Sequence, residues 1–203
     1  MKPDEIETLS FQIIEAEAGP HDFSTDQWHI VRRMIHTSAD FEYMQSVRFH
    51  PQAVEAGKRA IRHGKPIVTD TRMAMAGISQ NRLAPFKVAL HCLIGDSRVV
   101  DMSAQQGITR ARAAVDLAAA DLEGGIYVIG NAPTALLRLI ELVRQEKAHP
   151  DLIVGLPVGF VNAAESKEAL LDLDTPFITN VGRKGGSNLA ASVVNALAIL
   201  ASR

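Results

Sequence analysis

Two hydrophobic rhythms divide the chain. Over its first third, apolar residues recur at helical spacing: between Asp4 and Ala18 they fall at Ile6, Leu9, Ile13 and Ile14, with Ser10 on the flank. Ser24 to Gln27 reads Ser-Thr-Asp-Gln, the spacing of a capping box, and predicts that a helix opens there. Trp28, Val31, Ile35 and Ala39 then form its apolar stripe. Pro51 fits the first turn of a further helix, which runs to about His63 and stops at Gly64.

Beyond Gly64 the rhythm changes to short β-rich runs at 66–69, 88–94, 126–129, 152–154 and 176–179. Helical stretches at about 109–122, 134–147, 161–171 and 187–201 separate most of them. Strands alternating with helices predict an α/β fold with a mainly parallel sheet covered on both faces, preceded by a helical N-terminal segment. No repeat, low-complexity tract or long linker interrupts the pattern, so one domain is expected over residues 1–203.

Composition narrows the function classes. Lys and Arg together number 21 against 23 Asp and Glu, a balance that gives no general pull toward nucleic acid or anionic membranes. The N-terminus is charged, and no apolar stretch approaches the roughly 20 residues that cross a bilayer. A soluble, cytoplasmic protein is expected. The single cysteine, Cys92, excludes an intrachain disulfide and, within its apolar run, is expected to be a buried, inert thiol.

Candidate chemistry gathers on the second helix. At 100° per residue, His29, Arg33, His36 and Asp40 share a narrow arc, which sets an imidazole beside a cation and a carboxylate. His36 is therefore the first candidate for acid–base work near neutral pH, although a lone histidine at a helix end is often only solvated. Arg110 opens a helix, where a cation opposes the macrodipole and an anionic partner would account for it; a solvated arginine is the alternative. Three successive strands lead into loops rich in Gly and Pro, at 130–134, 155–159 and 180–187. Such loops lie at the carboxyl ends of the strands, where open α/β sheets bind ligands and helix N-termini suit anions. None matches a dinucleotide or P-loop fingerprint, and a tight turn also accounts for each. Asp70 and Asp101 follow strands, as ligand-orienting groups or helix caps. The remaining histidines lack metal-binding spacing, and His91 reads as a core residue of its strand.

Four segments together carry a resemblance: Arg33 to His36, Gly130 to Leu136, Gly155 to Lys167, and Gly185 to Ser187. They resemble the precorrin-8X methylmutases, also called cobalt-precorrin-8 methylmutases, and the likeness runs from Ser10 to the last helix. It implies a three-layer Rossmann-like α/β fold, a homodimer, and an isomerase of cobalamin biosynthesis that needs no separate cofactor. The implied substrate is a corrinoid, precorrin-8X or cobalt-precorrin-8, whose methyl group moves from C-11 to C-12 to give hydrogenobyrinate or cobyrinate. Carried over by position, the proton-donating histidine is His36, the substrate-contacting residues are Ser10 and Arg33, and an arginine after a turn matches Arg110. Thr37-Ser38 and the segment Thr69 to Met73 depart from the metal-free-route members and lean toward the cobalt-containing substrate. Two alternatives remain open to the residues: a corrinoid carrier without turnover, and a Rossmann-like nucleotide-binding enzyme.

Overall fold

The computed structural model describes residues 3–122 and 124–203. In chain order its elements are α1 (Pro3–Ala18), α2 (Thr25–Ser38), α3 (Tyr43–Ser46), β1 (Val47–Phe49), α4 (Ala53–Arg62), β2 (Ile67–Thr69), α5 (Arg72–Gly77) and α6 (Gln80–Leu83). There follow β3 (Leu90–His91), α7 (Ser97–Gln106), α8 (Arg110–Asp121), β4 (Ile126–Ile129), α9 (Pro133–Arg144), β5 (Leu152–Gly155), α10 (Ala163–Leu171), β6 (Phe177–Asn180) and α11 (Ser187–Ala201).

The strands form one sheet in the order β1-β6-β5-β4-β2-β3, parallel throughout except for β1, which runs antiparallel on β6. Every residue of β2, β4, β5 and β6 is buried, because helices cover both faces. On one face lie α2, α4, α5 and α11; on the other lie α8, α9 and α10. The expected three-layer α/β arrangement is present, with α1 packed outside α2.

Helix α11 is the hub of the first face. Twelve of its residues are buried, and seven of those are alanine or serine, so neighbouring backbones come close. A Cβ at Gly57 of α4 would stand 2.9 Å from Leu197, and one at Gly77 of α5 would stand 2.9 Å from Ala191. Helix α2 lies antiparallel on α11: just beyond its C-terminus Asp40 reaches Lys184, which precedes α11, while His29 near its other end feels the charge of Arg203, just past the end of α11.

Local signals account for the element ends. The capping box forms as expected: the Ser24 hydroxyl accepts from the Gln27 N–H at 3.3 Å, and the Gln27 side chain accepts from the Ser24 N–H at 3.0 Å. The helix stops at Ser38, because Ala39 turns left-handed with φ 53°. Pro51 stands just before α4 instead of in its first turn; α4 opens at Ala53. The run at 88–94 yields only Leu90–His91, followed by a 3-10 turn, and leaves His91 and Cys92 partly exposed instead of buried in a longer strand. Strand β1 and helices α3, α5, α6 and α7 were not expected from the pattern.

The carboxyl edge of the sheet is fastened by Asp70, directly after β2. Its carboxylate is 5% exposed and accepts from the backbone N–H groups of Gly130 (3.0 Å), Asn131 (2.8 Å) and Ala132 (2.8 Å). Burial pushes the Asp70 carboxyl up from its usual range, and the three N–H donors pull it back. Asp70 thus does not cap the next helix, whose cap is Thr71; it binds the loop after β4. Asp101 lies within α7 and is exposed. Asp70→Ala removes the acceptor of three backbone donors, one of them buried, and is expected to lower unfolding free energy by about 3 kcal/mol, read from the denaturant midpoint.

Candidate functional site

Ser10 and His36 meet in one open cavity of about 330 Å³. Helix α1 contributes Ser10, Ile13, Ile14 and Glu17; α2 and its cap contribute Ile35, His36 and Ala39; Phe41 closes one side. The walls are mostly apolar, and the imidazole is exposed to the opening. The Phe11 ring meets His36 edge-on, with centroids 5.1 Å apart at 67°. The Ser10 hydroxyl donates to the carbonyl of Ile6 at 2.9 Å, which leaves its oxygen free to accept from a ligand. A larger groove of about 760 Å³ adjoins this cavity and shares Glu17 and Phe41 with it, so an occupant of one can extend into the other.

The charged arc read from the sequence is taken apart by the fold. His29 is half-buried, its Nδ1 has no hydrogen-bond partner among the described residues, and burial, helped by Arg203, Arg32 and Arg33, pushes it down to about 4. It is a neutral packing residue at neutral pH. Arg33 pairs with Glu7 at 3.0 Å, and its guanidinium lies 5.2 Å from the Phe11 ring. Burial pulls the Arg33 guanidinium down from its usual range while Glu7 works the other way. Asp40 does not continue the face, since Ala39 ends the helix; its carboxylate accepts from the Glu42 N–H at 3.0 Å and from Lys184 at 2.6 Å. Only His36 of the four faces the cavity.

Arg110 lies elsewhere. It is the exposed first residue of α8, on the opposite face of the sheet, and no residue of α8 lines the His36 cavity. The Thr109 hydroxyl caps that helix by accepting from Arg112 N–H at 3.2 Å and meets the Thr134 hydroxyl at 3.0 Å. The structure therefore joins Ser10 and His36, sets Arg33 one turn away on α2, and leaves Arg110 apart.

The Gly-rich loops are less open to anions than their sequence suggests. The N–H groups after β4 are taken by Asp70. In the loop after β6, Lys184 is paired with Asp40 and Glu42, and Arg183 lies 5.5 Å from the Phe160 ring. Beneath that loop Lys167, 1% exposed, donates to the Asn180 side chain at 3.2 Å and to the carbonyl of Lys184. Sequence reading missed Glu17 and Phe41 as cavity walls and Lys167 as a buried post. The polar step Ser166-Lys167 inside an otherwise apolar helix face was the available signal for the last.

A mainly parallel sheet covered by helices on both faces defines the class as a three-layer α/β protein, with the imidazole-bearing cavity set between α1 and α2. The sequence model of the precorrin-8X methylmutase family matches residues 5–200, and the chain belongs to that family. It is 48% identical over 201 residues to the cobalt-precorrin-8 methylmutase of Priestia megaterium, covering 99% of this chain and 89% of that one. The precorrin-8X methylmutase of Pseudomonas aeruginosa is 39% identical, covering 93% and 91%. The crystal structure of precorrin-8X methylmutase from Thermus thermophilus superposes with a TM-score of 0.90 at 46% identity, covering 97% of each chain.

Lys167 supplies a pH test of this edge. Burial, with no carboxylate to offset it, lowers the ammonium from 10.5 to about 8. The unfolded chain therefore binds the extra proton between those values and the folded chain does not, so this group makes stability rise as pH goes from about 8 to 10.5. Unfolding free energy measured across that window is expected to climb by about 2–3 kcal/mol more in the native protein than in Lys167→Met.

Proposed function

We propose that this chain is a corrin-ring methylmutase of cobalamin biosynthesis, with His36 as its general acid and base. The observation that carries this reading is the shared cavity of Ser10 and His36: an exposed imidazole set among apolar walls, open to a larger groove. A flat, largely apolar macrocycle edge suits such walls. Curated relatives named cobalt-precorrin-8 methylmutase, at 44–48% identity, support the same reading.

The reaction is an isomerisation. The methyl carbon leaves C-11 and bonds to C-12, and the double bonds of ring C shift to match. Neither nucleophile nor hydride carrier is needed. Protonating the ring C region by His36 withdraws electron density from the conjugated system and lowers the barrier to migration; the proton returns to His36 afterwards. Ser10 accepts from or donates to the bound ring system, and Arg33 holds a substrate carboxylate in place of Glu7. Arg110, remote from His36 within one chain, serves a peripheral carboxylate.

The substrate is the cobalt-containing one. The names of the three relatives cited above and the residues Thr37-Ser38 support this choice. The chain acts as a single domain in the cytoplasm, and no helix among the described residues is long and apolar enough to cross a membrane. A homodimer accords with the exposed apolar line Ile6, Leu9 and Ile13 along α1, and sedimentation will check it.

His36→Ala is expected to bind corrinoid about as tightly as the native protein and to lose turnover by about 100-fold or more. The absorption spectrum during incubation with cobalt-precorrin-8 and, separately, precorrin-8X gives the readout. Full turnover by a folded His36→Ala protein would overturn the assignment, and product formed only from the metal-free substrate would reverse the choice of substrate.

A further inference from the structure

We propose that Lys184 is a positioning residue for His36, acting as a clamp between the loop after β6 and the turn that ends α2. The proposal rests on the reading of His36 as the acid–base group. Its evidence is a continuous set of contacts at the carboxyl edge.

The Lys184 ammonium lies 2.6 Å from the Asp40 carboxylate and 2.7 Å from that of Glu42, across 144 and 142 residues of chain. Those acids bracket Phe41, a wall of the His36 cavity, and Asp40 follows Ala39, another wall and the cap of the helix that carries His36. The second oxygen of Asp40 accepts from the Glu42 N–H at 3.0 Å, so the ammonium grips a turn that is already closed. A single cation thereby fixes one side of the cavity and the end of its helix.

The other end of the clamp is rigid. Lys167, buried under the loop, donates to the Lys184 carbonyl, and the Asn180 amide donates to the same carbonyl at 3.0 Å. The Gly186 N–H donates to Leu156 at 2.9 Å, and the Gly159 N–H donates to Arg183 at 3.2 Å. A side chain at Gly185 would lie 2.3 Å from the Leu156 carbonyl, so the loop is pressed on the end of β5. The loop therefore transmits the position of the sheet to Lys184, and Lys184 transmits it to the turn. All three side chains of the clamp are partly exposed, at 47%, 28% and 58%, where an ion pair adds little to global stability. A contact that contributes little to folding but holds the wall of a reactive cavity acts on geometry, and small misplacement of an acid–base group is costly in rate.

The test uses the full chain. Lys184→Met is expected to lower kcat about tenfold with KM changed less than about twofold, and Lys184→Arg to restore most of the loss. Asp40→Asn with Glu42→Gln should lose a similar factor, and adding Lys184→Met to that pair should lose no more. The melting temperature should move by about 2 °C or less in each. Without substrate, Lys184→Met should shift the NMR signals of the His36 imidazole and the Phe41 ring.

Unchanged kcat in Lys184→Met, or unmoved His36 signals, would overturn the clamp. A rise in KM in Lys184→Met alone, absent from the acid variants, would overturn it in favour of direct substrate binding by Lys184. A native protein that turns over neither corrinoid would refute the reading of the site, and the substrate-free spectra would still decide the clamp.

Discussion

Helix α2 carries His36, and its place is set by an antiparallel seat on α11. That seat exists because α11 is clad in alanine and serine and is buried along most of its length. Two helices with small residues between them approach closely and lock against sliding. Once α11 begins at the end of β6, an antiparallel partner must end there, so the last turn of α2 arrives at the carboxyl edge of the sheet. Buried Val31, Met34 and Ile35 fix its rotation by facing inward, and His36, one residue further, faces out toward α1. The position of His36 thus follows from packing on the opposite side of the helix.

The same edge uses charged side chains as internal posts. Asp70 fills the cradle of N–H groups after β4, the place where an open α/β sheet commonly receives a phosphate. With its own carboxylate there, the N–H groups of Gly130, Asn131 and Ala132 are already taken, which weighs against a nucleotide-binding enzyme. Lys167 does the converse under the loop after β6, offering its donors to an amide and a carbonyl with no counter-charge. Both burials are unfavourable in isolation, and both are offset by hydrogen bonds to the polar groups of the loop each one supports.

The parallel strands and their helices were legible because a doubly covered sheet writes itself as short, wholly apolar runs. Strand β1 was not, since Val47-Arg48-Phe49 is too short to show a period and owes its existence to pairing with β6. Helix α7 was missed for a related reason: among its residues only Val99 is buried, so its stripe is too thin to read. At the candidate site, His36 and Ser10, which share one cavity, were named through family likeness, with helical spacing pointing to His36 independently. Spacing failed for Asp40, because a left-handed Ala39 breaks the arc that a continuous helix would have kept. The Lys184 contacts join residues far apart in sequence, and no local pattern encodes such pairs.

Arg33 shows how the free structure and the proposed chemistry fit together. Its guanidinium is largely covered, is bound to Glu7 and lies beside Phe11, which also meets His36. Glu7 is the more exposed partner, at 40% against 13%. In the proposed chemistry, a substrate carboxylate that displaced Glu7 would meet a cation already desolvated and already shaped around a carboxylate. Exchanging one for the other leaves the net charge beside Arg33 unchanged, so burial of the cation is not repeated and only Glu7 returns to water. An arginine far from any acid would have to be stripped of solvent anew. On the proposed reading, the ion pair with α1 would keep Arg33 ready near His36, with the Phe11 ring against both side chains.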